Sequence, residues 1–277
     1  MTEGGIPVEP DPRLRAASAH VLVDAAALDG DGPLRLPPLD AHHLVRVLRL
    51  RPDELVTATD GAGRWRPCRL TADAVSASGS GSSGASGGGG GRRRDGAPGA
   101  ALVPLGPVEH VRAPGPVVTV AFAPVKGDRP EWVVQKLTEV GVDRIVLLEA
   151  ERSVVRWEGD RAGRQVERLR LVAREALQQC RRVHLPSVEG PWSLEALADE
   201  AARDGYAVAL AEPGASEGPR LSHPVVAVGP EGGWSPSELS DRTQVGLGPA
   251  TLRAETASLV VGSLLCALRS GTVGTPT

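Results

Sequence analysis

A glutamate stands between glycines at residues 229–233, GPEGG, directly after the apolar run PVVAV. A tight turn there requires only the glycines and Pro230, because glycine adopts backbone angles that other residues avoid. The carboxylate of Glu231 and the indole of the nearby Trp234 therefore need a further explanation. Glycine also lets the backbone approach a ligand closely, so such a loop can bind a ligand with its own amide and carbonyl groups.

Two more loops have a similar composition, AEPG at residues 211–214 and GPAT at residues 248–251. Both follow short apolar runs that have the length of buried strands. In open α/β sheets, ligands bind beyond the carboxyl ends of the strands. The repetition of glycine and proline predicts three backbone walls around one ligand, although each loop alone would be an ordinary turn.

Several familiar motifs are missing from the sequence, which argues against hydrolase, kinase and metalloenzyme functions. There is no GxxxxGK[ST] phosphate loop and no HExxH motif. The spacing GxSxG occurs at 84–88 and 214–218, but neither copy stands between a strand pattern and a helix pattern, so no nucleophile elbow is expected. The GLG segment at 246–248 begins a dinucleotide fingerprint, but Thr251 occupies the place of its last glycine. The adjacent His42 and His43 point apart on a helix, so no metal site is expected.

Charge and cysteine content set further bounds on the function. The net charge of −3 excludes a protein that is basic over its whole surface. Residues 42–70 hold six arginines against three acids, and residues 144–182 hold ten against six. Such segments are either solvated helix faces or surfaces that contact phosphate groups. The three cysteines are far apart in the sequence, which predicts reduced thiols and a cytoplasmic protein. The N-terminus has no apolar signal core, and no apolar run is long enough to span a membrane, so no membrane association is expected.

From about residue 115, apolar strands alternate with helical patterns. Strands are expected at 117–123, 144–150, 206–212, 224–229 and 244–248, and helices at 130–140, 160–180, 193–203 and 251–268. This alternation predicts an α/β domain with a mostly parallel sheet covered by helices on both faces.

The chain before residue 115 shows short strand patterns instead. Strands are expected at 20–24, 54–60 and 64–72, a helix at 42–50, and a last strand from ALVPL and HVRAP after the serine- and glycine-rich segment. Asp60-Gly61 between two strand patterns predicts a hairpin. Together these patterns indicate a small β-barrel with one short helix.

A segment rich in serine and glycine interrupts this barrel pattern. Fourteen of the sixteen residues at 76–91 are serine or glycine, a composition that cannot bury enough surface to offset its ordering entropy. We therefore expect a flexible insertion at about 76–100. The predicted domains are residues 1–113 for the barrel and residues 114–277 for the α/β part.

Four segments in this order resemble the ribosomal RNA small subunit methyltransferase E family. They are KGDRPEWVVQKLTEVGVDRI, ERSVVRW with a downstream REALQQCRR, VGPEGGWSPSEL and LGPATLRAETA. The segment HHLVRVLRLRPDELVTATDGAGRWRPCRL resembles the N-terminal PUA-like barrel of that family. The resemblance covers roughly residues 12–272. It implies a SPOUT-type α/β domain with a C-terminal trefoil knot and a PUA-like β-barrel that binds RNA. The insertion departs from the family pattern but changes none of these motifs.

The resemblance also implies an activity. Members of this family transfer a methyl group from S-adenosylmethionine to N3 of a uridine in 16S ribosomal RNA. The implied partners are 16S rRNA or the small ribosomal subunit and a second copy of the chain, with the cofactor pocket at the homodimer interface and no metal. The implied cofactor-binding residues are Leu210, Ala211, Glu212, Gly229, Gly232, Gly233, Leu247, Gly248, Leu252 and Arg253.

Within that resemblance, two residues are candidates for catalysis. Uracil N3 carries a proton that must leave, and Glu231 as a general base or Arg253 as a stabiliser of the developing charge would serve. Glu231 could instead be a brace that accepts backbone hydrogen bonds and holds its loop. Trp234 is expected to pack beneath the loop, and Glu255 to lie in the first turn of the last helix, where a negative charge is favourable.

RNA contacts are expected from basic and polar residues at the ends of strands and helices. The candidates are Lys126, Arg129, Arg152, Arg156, Gln178, Arg181 and Arg182 in the α/β domain, and Arg46 and Arg49, extended by Arg64 and Arg66, in the barrel. Taken alone, each of them fits a solvated or salt-bridged residue better than an RNA contact.

Two other functions stay open at this point. The chain could be a SPOUT methyltransferase that modifies another RNA, or a non-catalytic RNA-binding protein of ribosome assembly. The intact GPEGG and LGPxxLR segments argue against the second, because a protein without a cofactor has no need of them.

Overall fold

The computed structural model describes residues 11–72, 100–125 and 127–274. These residues form two compact units, divided between Val111 and Arg112. Most of the predicted insertion, and Lys126 of the predicted RNA-binding set, lie outside the described residues.

The first unit consists of short strands and helices. Its strands are β1 (Ala19–Leu22), β2 (Leu34–Arg35), β3 (Leu55–Thr59), β4 (Arg64–Ala72), β5 (Ala100–Pro104) and β6 (Glu109–His110), and its helices are α1 (Pro12–Ala16), α2 (Ala25–Leu28) and α3 (Pro38–His42). The six strands form one sheet in the order β1-β3-β4-β5-β2, with β6 paired to β4. Val56, Leu70 and Leu102 belong to the apolar core of this unit.

The hairpin predicted at Asp60-Gly61 joins β3 to β4. The two strands are antiparallel, with Thr59 opposite Trp65. Asp60 Oδ1 accepts hydrogen bonds from the backbone N–H of Ala62 at 2.8 Å and of Arg64 at 3.2 Å. The side chain therefore organises the turn itself, which is the usual reason for aspartate at this place.

The helix predicted at 42–50 begins earlier and is irregular. α3 ends at His42, and a π-helical turn follows at His43–Val47. Leu44 is buried, but Val47 is 57% exposed. The apolar spacing that suggested one regular helix therefore does not mark a single buried face.

The second unit alternates strands and helices along the chain. Its strands are β7 (Thr119–Phe122), β8 (Arg144–Glu149), β9 (Ser187–Ser193), β10 (Val208–Ala211), β11 (Val225–Val228) and β12 (Thr243–Val245). Its helices are α4 (Arg129–Val140), α5 (Gly159–Cys180), α6 (Leu194–Arg203), α7 (Pro236–Leu239) and α8 (Ala254–Arg269). The strands form one parallel sheet in the order β12-β10-β11-β7-β8-β9, which confirms the predicted parallel arrangement.

Helices cover both faces of this sheet, as the sequence predicts. Neighbouring residues of a strand point to opposite faces, and β7 shows the consequence. Val120 packs in a cluster with residues of α4, α5 and α8 on one face, whereas Ala121 packs with Leu197 of α6 on the other.

The structure contains an edge strand, β9, that the sequence patterns do not predict. Its sequence, SVEGPWS, contains Gly190-Pro191, and a proline within a run usually argues against a strand. An edge strand tolerates proline, and the pairing of β9 with β8 shifts register between Val146 and Leu148. The irregular pairing explains why no simple period marks this strand.

The path of the chain from β12 to α8 fits the expected knot. β12 lies at one edge of the sheet, yet α8 packs on β7, β11 and α4 at its centre. On this path, the Gly246 N–H donates to the Glu217 carbonyl oxygen at 2.7 Å. A Cβ at Gly246 would lie 2.1 Å from the Ala215 carbonyl oxygen. The segment after β12 thus passes directly against the loop between β10 and β11, and only glycine permits this close approach.

The three cysteines are free thiols. Burial raises the pKa of Cys68 and of Cys266 to about 11, so both stay protonated near neutral pH. Among the helices of the described ranges, none has the length and hydropathy to cross a membrane.

Candidate active site

Three glycine- and proline-containing loops meet at one edge of the parallel sheet. Strands β12, β10 and β11 are neighbours, and because they are parallel their carboxyl ends lie at the same edge. The loops that follow are those predicted at 211–214, 229–233 and 248–251. The Glu212 N–H donates to the Val245 carbonyl oxygen at 3.0 Å, which fixes the end of β10 against the end of β12.

Trp234 ties the loop after β11 to the end of β10. Its indole Nε1 donates a hydrogen bond to the Ala211 carbonyl oxygen at 3.0 Å, and the side chain is 4% exposed. A Cβ at Gly229 would lie 2.9 Å from the indole ring. Trp234 is therefore a packing residue beneath the loop, as predicted, and it explains why residue 229 is glycine.

Glu238 is the buried carboxylate that holds this loop, and the predicted site residues do not include it. One carboxylate oxygen, Oε2, accepts from the Ser235 N–H at 2.8 Å, and the other, Oε1, accepts from the Glu151 N–H at 2.9 Å. The Ser235 hydroxyl accepts from the Glu238 N–H at 3.1 Å, which completes a capping box at the start of α7. The Ser-x-x-Glu spacing in SPSE is the sequence signal for this arrangement.

Glu231 has different surroundings. It lies in a turn closed by a hydrogen bond from the Gly233 N–H to the Pro230 carbonyl oxygen at 2.8 Å. Its side chain is exposed, and within the described part of the chain its carboxylate accepts no hydrogen bond. The structure therefore assigns the role of brace to Glu238, and the role of Glu231 as a base stays a prediction.

The loop after β8 supports the same turn from the other side. Arg152 Nη1 donates to the Gly232 carbonyl oxygen at 3.2 Å. The Ser237 hydroxyl donates to the Glu151 carboxylate at 2.9 Å. Hydrogen bonds from the hydroxyls of Ser235 and Ser237 lower the pKa of Glu151. The turn at 229–233 is thus anchored by β8, β10 and α7 together.

Each of the three loops contains a glycine with a positive φ angle next to open space. The angles are +89° at Gly214, +68° at Gly233 and +123° at Gly248. Apart from the glycine itself and its two neighbours in the chain, no described residue has a heavy atom within 4 Å of where a Cβ would stand at these three positions. Because glycine has no side chain, the backbone itself borders the open space at each of these positions, which suits a ligand held by amide and carbonyl groups.

The predicted cofactor-binding residues differ in what they can offer a ligand. Leu210 is 0% exposed and belongs to the core, so only its backbone is available. Leu247 and Leu252 are half-buried against the core and keep part of each side chain accessible. Arg253 is exposed and occupies the N-cap position of α8.

The predicted RNA-binding residues of the second unit fall into two groups. Arg129, Arg152 and Arg156 follow the carboxyl ends of β7 and β8, at the same edge as the glycine loops, and are exposed. Gln178 and Arg181 lie at the end of α5, a helix of 22 residues that is about 33 Å long at 1.5 Å per residue. They therefore lie far from that edge, and the structure does not bring them to the candidate site.

Arg182 corrects the prediction for that set. Its Nη1 donates to the carbonyl oxygens of Thr138 at 2.8 Å and Val142 at 2.9 Å, at the end of α4. Nη2 adds an ion pair with Asp143 at 3.6 Å, and burial lowers the pKa of the guanidinium. Arg182 is thus a structural residue that binds carbonyl oxygens at and just after the end of α4, and its guanidinium is not available for an RNA phosphate.

The first unit shows a similar division among its arginines. Arg46 and Arg49 are exposed near the π-helical turn. Arg66 is 7% exposed and donates to the carbonyl oxygens of Leu28 and Gly106. Arg66 is therefore structural, whereas Arg46 and Arg49 remain candidates for RNA contact.

Replacing Arg182 with alanine is expected to destabilise the protein by roughly 2–4 kcal/mol, because the buried carbonyl oxygens of Thr138 and Val142 lose a donor and Asp143 keeps only Arg269 as an arginine partner. Urea denaturation measures this loss. The exposed Gln179 of the same helix end provides the control, since Gln179→Ala should change stability by no more than about 0.5 kcal/mol. Equal stability of the two variants would contradict the structural role.

Comparison with known proteins gives a consistent result for both units. An RNA methyltransferase domain family matches residues 113–266, and an RNA methyltransferase PUA domain family matches residues 39–74. The chain is 32% identical over 250 residues to the Ribosomal RNA small subunit methyltransferase E of Mycobacterium bovis, a match that covers 85% of this chain and 83% of the relative.

Solved structures agree with this match. A probable rRNA-methyltransferase from Porphyromonas gingivalis is 26% identical with a TM-score of 0.67, and the match covers 92% of this chain and 100% of that one. A Ribosomal RNA small subunit methyltransferase E from Neisseria gonorrhoeae, bound to S-adenosyl methionine, is 23% identical with a TM-score of 0.70, over 90% of this chain and 97% of that one. The similarities confirm the predicted fold class, a SPOUT-type α/β domain with a PUA-like domain.

Proposed function

Because the chain belongs to the ribosomal RNA small subunit methyltransferase E family, we propose that it transfers a methyl group from S-adenosylmethionine to N3 of a uridine in 16S ribosomal RNA. The observation that carries this proposal is the edge of the sheet where the backbone of three glycine loops borders open space. Trp234 and Glu238 hold two of these loops in place without occupying the open space. This edge is the expected position for a ligand of such a sheet.

The residues of this edge fit the cofactor. When bound, S-adenosylmethionine supplies a methyl group activated by the positive charge of its sulfonium. The backbone groups of residues 211–214, 229–233 and 247–248 would hold it, and the accessible parts of Leu247 and Leu252 would cover its apolar surface. The chief contribution of the protein to this reaction is to position the donor against the uridine.

Glu231 and Arg253 are the residues that would act on the uracil. Removal of the N3 proton leaves negative charge on the uracil oxygens, and a carboxylate base with a nearby guanidinium meets both requirements. Both side chains are exposed at the carboxyl edge. Neither carries a hydrogen bond from its side chain within the described residues, so both are available to a substrate.

Glu231→Gln is expected to lower the rate of methyl transfer about 10²–10⁴-fold, because the amide cannot take the N3 proton. Transfer rates at saturating substrate measure this loss. Wild-type rates in a folded variant would exclude proton abstraction by Glu231.

RNA binding is expected to weaken with salt. Each phosphate contact contributes a slope of about −0.9 to the plot of log affinity against log salt concentration for a duplex. Arg152→Gln and Arg156→Gln should each reduce that slope by about one, as should Arg46→Gln and Arg49→Gln in the first unit. Filter binding of 16S RNA between low and physiological salt measures the slope. An affinity that does not change with salt would contradict these contacts.

The proposal includes the molecular setting. We expect a homodimer in the cytoplasm, with 16S rRNA or the small ribosomal subunit as partner and the cofactor pocket next to the second copy. Sedimentation of the purified chain with and without S-adenosylmethionine tests the dimer. A monomer under both conditions would contradict it.

The target is tested by mapping modified uridines in 16S RNA from a strain that lacks the gene. The proposal expects one N3-methylated uridine to disappear and to return when the gene is supplied on a plasmid. Loss of a modification in another RNA would favour the alternative methyltransferase. No change in any RNA, together with no S-adenosylmethionine binding in calorimetry, would favour a non-catalytic assembly protein.

A further inference from the structure

An ion pair joins the first turn of α4 to the first turn of α8. Arg129 Nη1 lies 3.4 Å from Glu255 Oε1. α4 follows the carboxyl end of β7, so its first turn lies at the edge that carries the glycine loops. Glu255 also lies only two positions after Arg253 in the sequence. The pair is therefore a neighbour of the proposed active site.

The two members of this pair differ in exposure. The Glu255 side chain is 15% exposed, whereas the Arg129 side chain is 44% exposed. In an ordinary surface pair both side chains are open to solvent, as in the pair of Arg170 and Glu167 on α5, at 51% and 68%. The largely buried carboxylate of Glu255 therefore holds the Arg129 guanidinium in one place, and the exposed side of the guanidinium stays accessible.

The Glu255 carboxylate is only partly satisfied by hydrogen bonds and ion pairs. Its Oε2 is buried and has no hydrogen-bond partner among the described residues. A buried carboxylate oxygen without a donor is unfavourable for folding. Glu255 lies in the first turn of α8, as predicted, where the helix dipole favours its charge. Helix capping alone would not require burial of the carboxylate, so the burial needs a further explanation.

We propose that Glu255 is a positioning residue that holds Arg129 toward an anionic oxygen of the RNA. Arginine suits this role because its charge is permanent and its donors form a planar fork. The oxygen belongs either to a phosphate next to the target uridine or to the uracil ring once N3 has lost its proton. This inference rests on the proposed function, since it takes RNA as the substrate.

A second ion pair in the same turn of α4 provides a matched control. Glu131 Oε1 lies 3.0 Å from Arg168 Nε, the Glu131 side chain is 17% exposed, and its Oε2 is also buried without a partner among the described residues. Glu131 therefore equals Glu255 in burial and in its place at a helix start, but it does not hold Arg129. Any loosening of α4 by the loss of a buried carboxylate should appear in both Glu131→Gln and Glu255→Gln.

The test is a double-mutant cycle in the full chain with Glu255→Gln, Arg129→Gln and both together. Each single variant is expected to lower kcat/KM for RNA about 10–100-fold, and the double variant should be no worse than Arg129→Gln alone, because the two residues act as one unit. Affinity for S-adenosylmethionine should stay within about twofold in all three. Glu131→Gln should keep transfer within about threefold of wild type, and Glu255→Asp should restore part of the activity.

The same measurements identify the oxygen that Arg129 contacts. A fall in kcat with unchanged RNA affinity indicates the uracil oxygens. A weaker RNA affinity with a salt slope reduced by about one indicates a phosphate.

Three results would overturn the inference. They are additive losses in the cycle, wild-type transfer by Glu255→Gln, and an equal loss of transfer in Glu131→Gln, which would show that the carboxylates only stabilise α4. Failure of the proposed function looks different, because the wild-type chain would then form no N3-methyluridine. The cycle could still be measured as RNA binding in that case.

Discussion

Gly246→Ala is expected to destabilise the second unit by about 1–3 kcal/mol or more, the usual range for overpacking, and to lose affinity for S-adenosylmethionine. The new Cβ would lie 2.1 Å from the backbone carbonyl oxygen of Ala215, and a backbone atom cannot turn away as a side chain can. The loop after β10 or the segment after β12 must then move. Both form walls of the proposed pocket, and a displacement of about 1 Å in a binding site can lower the reaction rate about 10²-fold.

Gly218 offers the control for this substitution. It lies in the loop between β10 and β11 that Gly246 contacts, but apart from its two chain neighbours no described residue has a heavy atom within 4 Å of its Cβ position. Gly218→Ala should therefore change stability by no more than about 0.5 kcal/mol and leave cofactor affinity unchanged. Urea denaturation and calorimetric titration with S-adenosylmethionine measure the two effects. If Gly246→Ala behaved like Gly218→Ala, the described passage of the chain past residue 215 would be incorrect.

Glu238→Ala is expected to remove the brace of the turn at 229–233. The buried carboxylate accepts hydrogen bonds from two backbone N–H groups, at 2.8 Å from Ser235 and 2.9 Å from Glu151. Hydrogen bonds to a charged group are worth about 1.5–3 kcal/mol each, so a stability loss of roughly 3 kcal/mol is expected. Because the turn is a wall of the proposed pocket, the affinity for S-adenosylmethionine should fall about tenfold or more.

Glu231→Ala is the control for stability, because Glu231 is exposed and its carboxylate accepts no hydrogen bond within the described residues. Its free energy of unfolding should match that of the wild type. Thermal denaturation of both variants, with and without S-adenosylmethionine, separates the brace from the proposed base. Equal stability of Glu238→Ala and Glu231→Ala would show that Glu238 does not hold the loop.

Much of the fold can be predicted from the sequence because its elements follow local rules. The buried runs of β7, β8, β10 and β11 are bounded by turn residues, and α4 is marked by Pro130 in its first turn and by Gly141 with a φ of +107° at its end. β9 escapes such rules, because it is an edge strand with Gly190-Pro191 and an irregular register. Local rules also do not predict that the segment after β12 passes Ala215. In the sequence Gly246 is an ordinary loop glycine, and only its contact with Ala215 in the structure shows why glycine is required.

The candidate site shows the same limit. The three glycine loops are visible in the sequence because composition and strand ends are local properties. The assignment of the brace to Glu238 rather than Glu231 depends on a hydrogen bond to Glu151, which is 87 residues away in the sequence. Arg182 looks like a surface arginine at a helix end, and only its contact with the end of α4 identifies it as structural.

The central claim is that this chain transfers a methyl group from S-adenosylmethionine to N3 of a uridine. The most direct test incubates the purified chain with isotopically labelled cofactor and with small ribosomal subunits from a strain that lacks this modification. The RNA is then digested, and the labelled nucleosides are separated and weighed by mass spectrometry. We predict a single labelled product, N3-methyluridine, formed only when enzyme and cofactor are both present. Label in any other nucleoside, or none at all with a folded protein that binds the cofactor, would contradict the claim.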